Sequence, residues 1–253
     1  PATAANDWES SFAYEKQGTV YGWSYVDDST KDIHAWSYIT SPAGTSELVS
    51  GWIPFPKGKV GCRVNYRSLS SGQLTVTLLD KDANIVATST LPFTSSDNSN
   101  EIIALLNVGE EKECRAVLTV NDGYSTQLLV DGVSFYAPEP VDVRAIAITS
   151  PQLSAYADGG NLIVEAEFAN YGSETVSDYE AKLEVDGQEL ESATLPDIAS
   201  GATVNFSFDS RLQLADGTHT LAVIAGNDSV KKSLVIYQPQ AYPYQETFED
   251  TVS

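Results

Sequence analysis

Short runs of alternating apolar and polar residues, each closed by Gly, Asn, Asp or Pro, recur along the whole chain and constrain its fold more than any other feature. A period of two places successive side chains on opposite faces of a β-strand. Residues 60–66 show this well, because one face carries Val60, Cys62, Val64 and Tyr66. Helical periodicity is hard to find, so the pattern predicts an all-β protein. The clearest other strands are predicted at residues 73–79, 102–106, 114–120, 127–130, 162–168, 181–185, 203–208, 219–224 and 233–237.

Two proline-containing breaks divide these strands into segments. Pro138 and Pro140 remove backbone donors and force extended backbone between two β-rich regions. A second break, residues 238–244, follows the last predicted strand. We therefore predict a first domain at residues 1–138, a second at 139–238, and a linker with the first strand of a further module at 239–253. The last expectation rests on an aromatic-Glu pair that occurs near both ends of the chain, as Trp8-Glu9 and Phe248-Glu249.

Composition supports a folded and acidic protein. The 253 residues are 42% hydrophobic and 19% charged, which disfavours disorder. The net charge of −21 would repel phosphate backbones, so we expect no nucleic-acid partner. The sequence contains no run of about 18 apolar residues, so no membrane-spanning segment is predicted. Because the sequence begins with Pro1 and contains no methionine, we interpret it as a mature or excised piece, so either the chain was never exported or its signal peptide has been removed.

The second segment contains four turn motifs in a characteristic order. They are Asn170-Tyr-Gly172, Val185-Asp186-Gly187, the turn from Leu195 to Gly201, and Gly217-Thr-His219-Thr-Leu221. About seven short strands over residues 141–237 predict an immunoglobulin-like sandwich. The order of motifs resembles the cell-adhesion-related domain of bacteria (CARDB). This resemblance implies a surface spacer or an adhesive role rather than catalysis.

The first segment concentrates the aromatic residues, since all four tryptophans lie within the first 52 positions. Tyr21, Trp23 and Tyr25 alternate along one face of a predicted strand. Such a row either fills the core or forms a platform on which sugar rings stack. Both alternatives stay open at the level of the sequence.

Several short motifs of the first segment resemble the choice-of-anchor J or cleaved-adhesin domains, which are jelly-roll sandwiches. The motifs are Trp8-Glu9-Ser10, Gly22-Trp23, His34-Ala-Trp-Ser37, and the closing strand from Leu129 to Phe135 with Asp131. The resemblance implies an N-terminal jelly-roll sandwich ahead of the immunoglobulin-like one. It also implies a structural calcium ion held by Glu9 and Asp131 on the first and last strands, completed by further oxygen ligands because calcium takes six to eight.

The two cysteines, Cys62 and Cys114, both fall on predicted inward faces of the first segment. If their strands are neighbours, a disulfide is feasible, and an exported chain would favour it. Otherwise they are two small core residues.

Candidate catalytic groups are scarce. His34 and His219 fall in different segments, and no nucleophile elbow, metalloprotease or phosphate-loop motif accompanies them. Glu184-Val-Asp186-Gly-Gln-Glu189 has the spacing of a glycanase strand, but a hairpin turn at Asp186 would send the two glutamates onto opposite strands. We therefore expect a non-enzymatic surface module whose partner is a host or matrix protein or a glycan. The alternative is a carbohydrate-binding accessory module of a larger secreted hydrolase.

Overall fold

The structure is a computed structural model that describes residues 8–11, 24–26, 37–40, 47–121, 127–157 and 160–237. Within these ranges the chain forms nineteen β-strands and no helix, and hence no helix long and apolar enough to cross a membrane. The all-β prediction is confirmed. The chain divides into two compact units, one ending at Pro140 and the other beginning at Val141.

Unit 1 contains the first eleven strands of the described chain. They are β1 (Trp8–Ser11), β2 (Ser24–Val26), β3 (Ser37–Thr40), β4 (Glu47–Val49), β5 (Ile53–Phe55), β6 (Gly58–Ser68), β7 (Gly72–Leu79), β8 (Ile85–Phe93), β9 (Ser96–Val108), β10 (Lys112–Asn121) and β11 (Gln127–Tyr136).

These strands form two antiparallel sheets. The first has the order β1-β11-β6-β9, with β3 also pairing with β11, and the second has the order β2-β4-β10-β7-β8, with β5 also pairing with β10. Between β6 and β11 the chain crosses from one sheet to the other four times, as in a jelly roll. Both sheets turn an apolar face inward, so unit 1 is a β-sandwich.

The core of unit 1 follows the predicted alternation. On β6, Val60, Cys62, Val64 and Tyr66 are all at most 3% exposed. Across the sandwich, the facing positions of β10 are equally buried; these are Cys114, Ala116, Leu118 and Val120. Burying a large aliphatic or aromatic side chain contributes roughly 1.5 to 3 kcal/mol, so these two strands supply much of the stability of the unit.

A glycine on β6 lies directly under an aromatic ring. Gly61 pairs with Tyr136 at the end of β11, and a Cβ added to Gly61 would lie 2.4 Å from Cζ of that ring. The guanidinium carbon of Arg63 lies 5.0 Å from the centroid of the same ring. The absence of a side chain at Gly61 therefore lets Tyr136 cover the strand.

Unit 2 contains the remaining eight described strands. They are β12 (Val143–Ser150), β13 (Ala155–Tyr156), β14 (Gly160–Asn170), β15 (Glu180–Val185), β16 (Gln188–Thr194), β17 (Thr203–Gln213), β18 (Gly217–Ala225) and β19 (Asp228–Ile236).

The two sheets of unit 2 have the arrangement of an immunoglobulin-like sandwich. One sheet has the order β12-β14-β17, and the other has the order β13-β19-β18-β15-β16, in which the short β13 pairs with β19 in parallel. The alternation in residues 162–168 places Leu162, Val164, Ala166 and Phe168 on one face of β14; the last three are completely buried, and Leu162 is partly buried against the same core. The predicted alternation of this strand is confirmed.

The edge strand β16 is tied to the opposite sheet by one carboxylate. Glu191 accepts hydrogen bonds from the backbone N–H of Asp209 (3.1 Å) and of Ser210 (2.7 Å) on β17. These two donors lie where the ladder between β14 and β17 is interrupted. Burial raises the pKa of Glu191, but the two backbone donors and the Ser210 side chain together outweigh it and hold that pKa below its usual range. The carboxylate thereby satisfies backbone groups that the ladder leaves unpaired.

Candidate functional site

The outer face of the second sheet of unit 1 carries an exposed aromatic-cation pair. Trp52, immediately before β5, is 41% exposed, and the guanidinium carbon of Arg115 on β10 lies 4.6 Å from the centroid of its ring. Cys114, next to Arg115, pairs with Ile53, and this register sets Arg115 beside Trp52. No ion pair of Arg115 with a carboxylate occurs among the described residues.

The same row continues across the sheet with apolar side chains. Arg115 pairs with Leu79, and Leu79 pairs with Ile85, which is 66% exposed. Trp52, Arg115, Leu79 and Ile85 therefore form one continuous strip, which we call the Trp52 strip. An exposed ring, a cationic donor and flanking apolar surface can together contact the ring face and hydroxyls of a sugar.

Hydroxyl groups lie beside this strip on the same face. Two pairs of threonines bond across β7 and β8, Thr77 with Thr88 at 3.1 Å and Thr75 with Thr90 at 2.9 Å between the hydroxyl oxygens. Each hydroxyl keeps further donor or acceptor capacity. The face thus combines stacking and hydrogen-bonding groups.

A shallow groove of 400 Å³ lies at the turn between β7 and β8. Its wall includes Asp80, whose carboxylate accepts hydrogen bonds from the backbone N–H of Asp82 (3.0 Å) and of Asn84 (2.8 Å) and contacts the ammonium of Lys112 (3.0 Å). The Lys112 ammonium, followed by the Asn84 N–H, holds the pKa of Asp80 well below its usual range. Lys112 also contacts Glu110 at 3.7 Å. The charges of the groove are thus paired with one another, and the pairing anchors the turn.

The structure describes only one residue of the predicted aromatic platform. Tyr21 and Trp23 lie outside them, and Tyr25 lies on β2, of which only the backbone is described. The two alternatives for these residues, core packing and a sugar-binding platform, both stay predictions. The concentration of tryptophans in the first 52 positions does not distinguish Trp52 from the other three. The alternation Ile53-Pro54-Phe55 does, because Trp52 has the same parity as the outward-facing Pro54.

The strands that carry the predicted calcium ligands are neighbours. β1 pairs with β11, and Glu9 lies opposite Ser134, three positions from Asp131. Asp131 itself lies at the irregularity between Val130 and Gly132 in the pairing of β11 with β6. The pairing of the first and last strands fits the predicted arrangement, but the register offsets Glu9 and Asp131 by three residues, which is roughly 10 Å along the strands.

The two cysteines are free thiols in opposite sheets. Cys62 on β6 is flanked by Ala104 and Phe135, and Cys114 on β10 is paired with Ile53. Because β6 and β10 are not neighbours, the condition for the predicted bridge is not met, and the two residues fill the core instead. Burial raises the pKa of both thiols, Cys62 more than Cys114, which disfavours the thiolate.

In unit 2, two of the four predicted motifs meet around one buried amide. The Nδ2 of Asn170 donates to the carbonyls of Glu174 (2.8 Å) and Ile198 (2.9 Å), and its Oδ1 accepts from the N–H of Gly172 (2.8 Å). The hydroxyl of Ser200 donates to the Gly172 carbonyl at 2.7 Å. This Asn170 cluster, made of the five residues just named, joins the Asn-Tyr-Gly loop to the turn between Leu195 and Gly201.

The other two motifs meet at a histidine. Nδ1 of His219 lies 2.7 Å from Oδ2 of Asp186, and Nε2 lies 2.8 Å from the carbonyl of Ala215. The other carboxylate oxygen of Asp186 accepts from the N–H of Thr220 at 2.8 Å. Asp186, Ala215, His219 and Thr220 are the His219 cluster. The sequence contained both motifs but offered no sign that they are neighbours, because 33 residues separate Asp186 from His219.

The glycanase-like spacing resolves into a hairpin, as predicted. Asp186 and Gly187 both have positive φ (51° and 77°), which is the two-residue turn that Asp-Gly favours. Glu184 and Glu189 consequently lie opposite each other on β15 and β16. The ammonium of Lys182 contacts Glu189 at 2.9 Å, and Asp186 is bonded to His219.

Comparison with known proteins identifies unit 2 more closely than unit 1. No curated protein matches the chain significantly. Solved structures similar to it include an arabinose-bound MgGH51 α-L-arabinofuranosidase (14% identity, TM-score 0.35, covering 51% of this chain and 26% of that one). They also include the apo form of BiXyn10A CBM1 (13% identity, TM-score 0.36, covering 52% of this chain and 98% of that one). A third is the K1 cleaved-adhesin domain of Lys-gingipain from Porphyromonas gingivalis W83 (12% identity, TM-score 0.35, covering 52% of this chain and 98% of that one).

This chain therefore spans about a quarter of the arabinofuranosidase. The resemblance of unit 1 to choice-of-anchor J domains stays a prediction. Residues 145–232 match the CARDB family, and this match confirms the resemblance that the four turn motifs predict for the second segment.

Proposed function

We propose that this chain is a non-catalytic part of an exported bacterial cell-surface protein, in which unit 1 contacts a host or matrix ligand and unit 2 is a spacer. The similarity of residues 145–232 to CARDB supports a surface location. The observation that carries the spacer role is that the polar side chains of its motifs are bonded within unit 2. Asn170, Asp186 and His219 each bond to groups of that unit.

The charge distribution agrees with this division of roles. Residues 1–138 contain 16 acidic and 9 basic residues, whereas residues 139–253 contain 19 and 5. A strongly like-charged surface disfavours self-association and keeps a connector solvated. Unit 1 is more nearly balanced and carries the Trp52 strip, so its surface is better suited to contact a partner.

The test immobilises the whole chain and measures binding to panels of matrix proteins and glycans. Leu153 (64% exposed) and Tyr237 (48% exposed) are the kind of apolar groups that a contact surface on unit 2 would use. We expect Leu153→Ala and Tyr237→Ala to leave binding unchanged. Loss of binding in either folded variant, or steady release of reducing sugar from the glycans, would overturn the proposal.

A second candidate function is carbohydrate binding as an accessory module of a larger secreted hydrolase. The Trp52 strip favours it, because a half-exposed tryptophan beside an arginine and paired hydroxyls provides both stacking and hydrogen bonds for a sugar. This candidate shares the non-catalytic role of the first and differs in the class of partner.

A glycan array separates the two candidates. We expect selective glycan binding that Trp52→Ala abolishes and Trp52→Phe partly retains, because phenylalanine keeps a ring for stacking. Leu69→Ala is the matched control, since Leu69 is 77% exposed and lies in the β6–β7 turn, at the other end of β7 from the strip. Binding to matrix proteins without any glycan signal would remove the carbohydrate candidate and leave the first.

A structural calcium ion at Glu9 and Asp131 is a further proposal for unit 1. The neighbouring positions of β1 and β11 support it, and the offset between the two residues requires additional oxygen ligands. We expect the melting temperature of the chain to fall on replacing calcium with EDTA, and Glu9→Gln to remove that difference. Equal melting temperatures in calcium and EDTA would sink the proposal.

A further inference from the structure

The His219 cluster has a hydrogen-bond arrangement that determines the protonation of its imidazole. The carbonyl of Ala215, 2.8 Å from Nε2, can only accept a hydrogen bond. Nε2 must therefore carry a proton. On the other side of the ring, Nδ1 lies 2.7 Å from Oδ2 of Asp186.

The proton between Nδ1 and Asp186 belongs to the histidine. A free carboxyl group titrates near pH 3.9 and a free imidazole near 6.5, so the imidazole holds a shared proton more tightly. Oδ1 of Asp186 also accepts the N–H of Thr220 at 2.8 Å, which further favours the ionised carboxylate. Both ring nitrogens thus donate, and His219 is an imidazolium cation in this arrangement.

The other charged groups near His219 leave Asp186 as its main partner. On β19, His219 pairs with the buried Leu234, and Lys232 two positions away donates to the carbonyls of Pro151 and Gln152. Asp216 lies in the turn before β18, and Arg211 on β17 is exposed. On β15, Glu184 lies opposite Ala222. The side chain of His219 is 15% exposed, so deprotonation by solvent is possible without unfolding the unit.

The cluster fastens the turn between β17 and β18 to the Asp186–Gly187 hairpin. Immediately after this turn, Gly217 pairs with Ile236, the last residue of β19. The cluster therefore lies at the end of unit 2 where the chain leaves its last strand. We propose that His219 is a pH-sensitive fastener, whose positive charge holds the β17–β18 turn closed and whose deprotonation releases it.

Loss of the proton breaks the contact with Ala215 specifically. A neutral imidazole that keeps its Nδ1–H toward Asp186 turns a lone pair at Nε2 toward the Ala215 carbonyl, and two acceptors at this distance repel each other. The hydrogen bond that His219 donates to the Asp186 carboxylate, followed by that to the Ala215 carbonyl, raises the pKa of His219. The stabilisation is thus complete below about pH 6.5 and is lost as pH rises through the higher pKa of the folded state.

At low pH, the stabilisation of the turn is limited by protonation of the Asp186 carboxylate. The hydrogen bond from His219, followed by that from Thr220 N–H, lowers the pKa of Asp186. Its contribution is present above about pH 3.9 and is lost as pH falls through the lowered value. The turn is therefore held most firmly between roughly pH 4 and 6.5.

The first test is a ¹H–¹⁵N titration of the imidazoles in the whole chain. The chain has two histidines, and His34→Gln assigns the remaining signal to His219. We expect both ring nitrogens of His219 to be protonated at pH 6, with a midpoint above 6.5 that Asp186→Asn lowers. A midpoint at or below 6.5 in the unmodified chain would overturn the proposal.

The second test measures release of the turn by hydrogen exchange of residues 214–218 between pH 6 and 9, corrected for intrinsic exchange. We expect protection of this segment to fall as His219 deprotonates, while residues 181–185 of β15 stay protected. In His219→Gln the loss of protection should no longer depend on pH. If that variant does not fold, Asp186→Asn takes its place, because asparagine also suits this position of the turn. In Asp186→Asn the loss of protection must then occur at lower pH. Protection that is unchanged from pH 6 to 9 in the unmodified chain would refute the fastener.

Discussion

The two units use their polar and aromatic residues in different ways. In unit 2, the side chains of the sequence motifs are bonded to loop backbones of the same unit, as in the Asn170 and His219 clusters. In unit 1, the Trp52 strip leaves an aromatic ring and a cation on the outer surface of a sheet, without an ion pair to a described carboxylate. The recognisable motifs of unit 2 therefore mark its internal hydrogen-bonded supports, whereas the Trp52 strip of unit 1 belongs to no motif.

The two clusters of unit 2 also differ from each other. The Asn170 cluster lies where the chain enters the unit, since Asn170 pairs with Val143 at the start of β12. Its hydrogen bonds join uncharged groups around the completely buried Asn170, so its strength should not depend on pH. The His219 cluster lies at the exit and depends on a charge that solvent can remove. One sandwich thus has a permanent support at one end and a titratable one at the other.

The largest effect is expected on removing the buried amide of unit 2. Asn170→Leu leaves the Glu174 carbonyl and the Gly172 N–H without these partners, each at a cost of roughly 1 to 3 kcal/mol unless water enters, whereas the Ile198 carbonyl keeps its bond from the N–H of Val176. We expect a loss of about 3 kcal/mol in the free energy of unfolding of unit 2, measured by urea denaturation. Asn205→Leu, at an exposed position of β17, is the control and should change stability by less than about 0.5 kcal/mol. Equal effects at the two positions would contradict the role of the Asn170 cluster.

A smaller effect is expected in the aromatic packing of unit 1. In Gly61→Ala the new Cβ would meet the Tyr136 ring at 2.4 Å, so the ring must move. We expect a loss of about 1 to 2 kcal/mol in the stability of unit 1, by thermal unfolding. Gly109→Ala, where a Cβ meets nothing within 4 Å, is the matched control. A Gly61→Ala variant as stable as Gly109→Ala would show that Tyr136 does not need the glycine.

The turn anchor at Asp80 should give unit 1 a dependence on acid. Because the native pKa of Asp80 is lowered, its stabilisation is present above about pH 3.9 and is lost as pH falls through that lower value. In Asp80→Asn, we expect the melting temperature of unit 1 to be lower at pH 7 and to fall less steeply between pH 4 and 2. Asp82→Asn, whose side chain is exposed, should keep the steep fall. An unchanged acid dependence in Asp80→Asn would contradict the anchor.

The smallest effect on stability is expected at the Trp52 strip. An exposed cation-π pair contributes roughly 0.5 to 1 kcal/mol, so Trp52→Ala should destabilise unit 1 by no more than about 1 kcal/mol. Thermal unfolding of the variant measures this directly. A loss above about 3 kcal/mol would mean that Trp52 is a core residue and not part of a contact surface.

The sequence predicts best the strands that have one buried face. The alternations in residues 60–66 and 162–168 are both found, because their alternate apolar positions pack into a core. β16 was not predicted, since it is an edge strand whose residues Gln188–Thr194 are largely exposed and show no apolar alternation. β8 was missed for a related reason, because its first residue, Ile85, points to solvent and Pro92 interrupts its pattern.

The candidate sites were less predictable than the strands. The cysteine pairing depended on which strands become neighbours, and the chain crossings of unit 1 set Cys62 and Cys114 in different sheets. The pairing of Asp186 with His219 and that of Trp52 with Arg115 likewise join residues that are 33 and 63 positions apart in the chain. Local patterns identify turns and faces, but contacts across a sheet depend on register and topology.

The contrast between the two units is tested most directly by ligand binding of the whole chain, measured for two variants on the same glycan and matrix-protein panels. We expect Trp52→Ala to weaken binding by about tenfold or more, as for a central aromatic contact. The double variant Leu153→Ala/Tyr237→Ala, on unit 2, should bind as tightly as the unmodified chain. Unchanged binding in Trp52→Ala together with lost binding in the folded double variant would contradict the assignment of the contact surface to unit 1 and of the spacer role to unit 2.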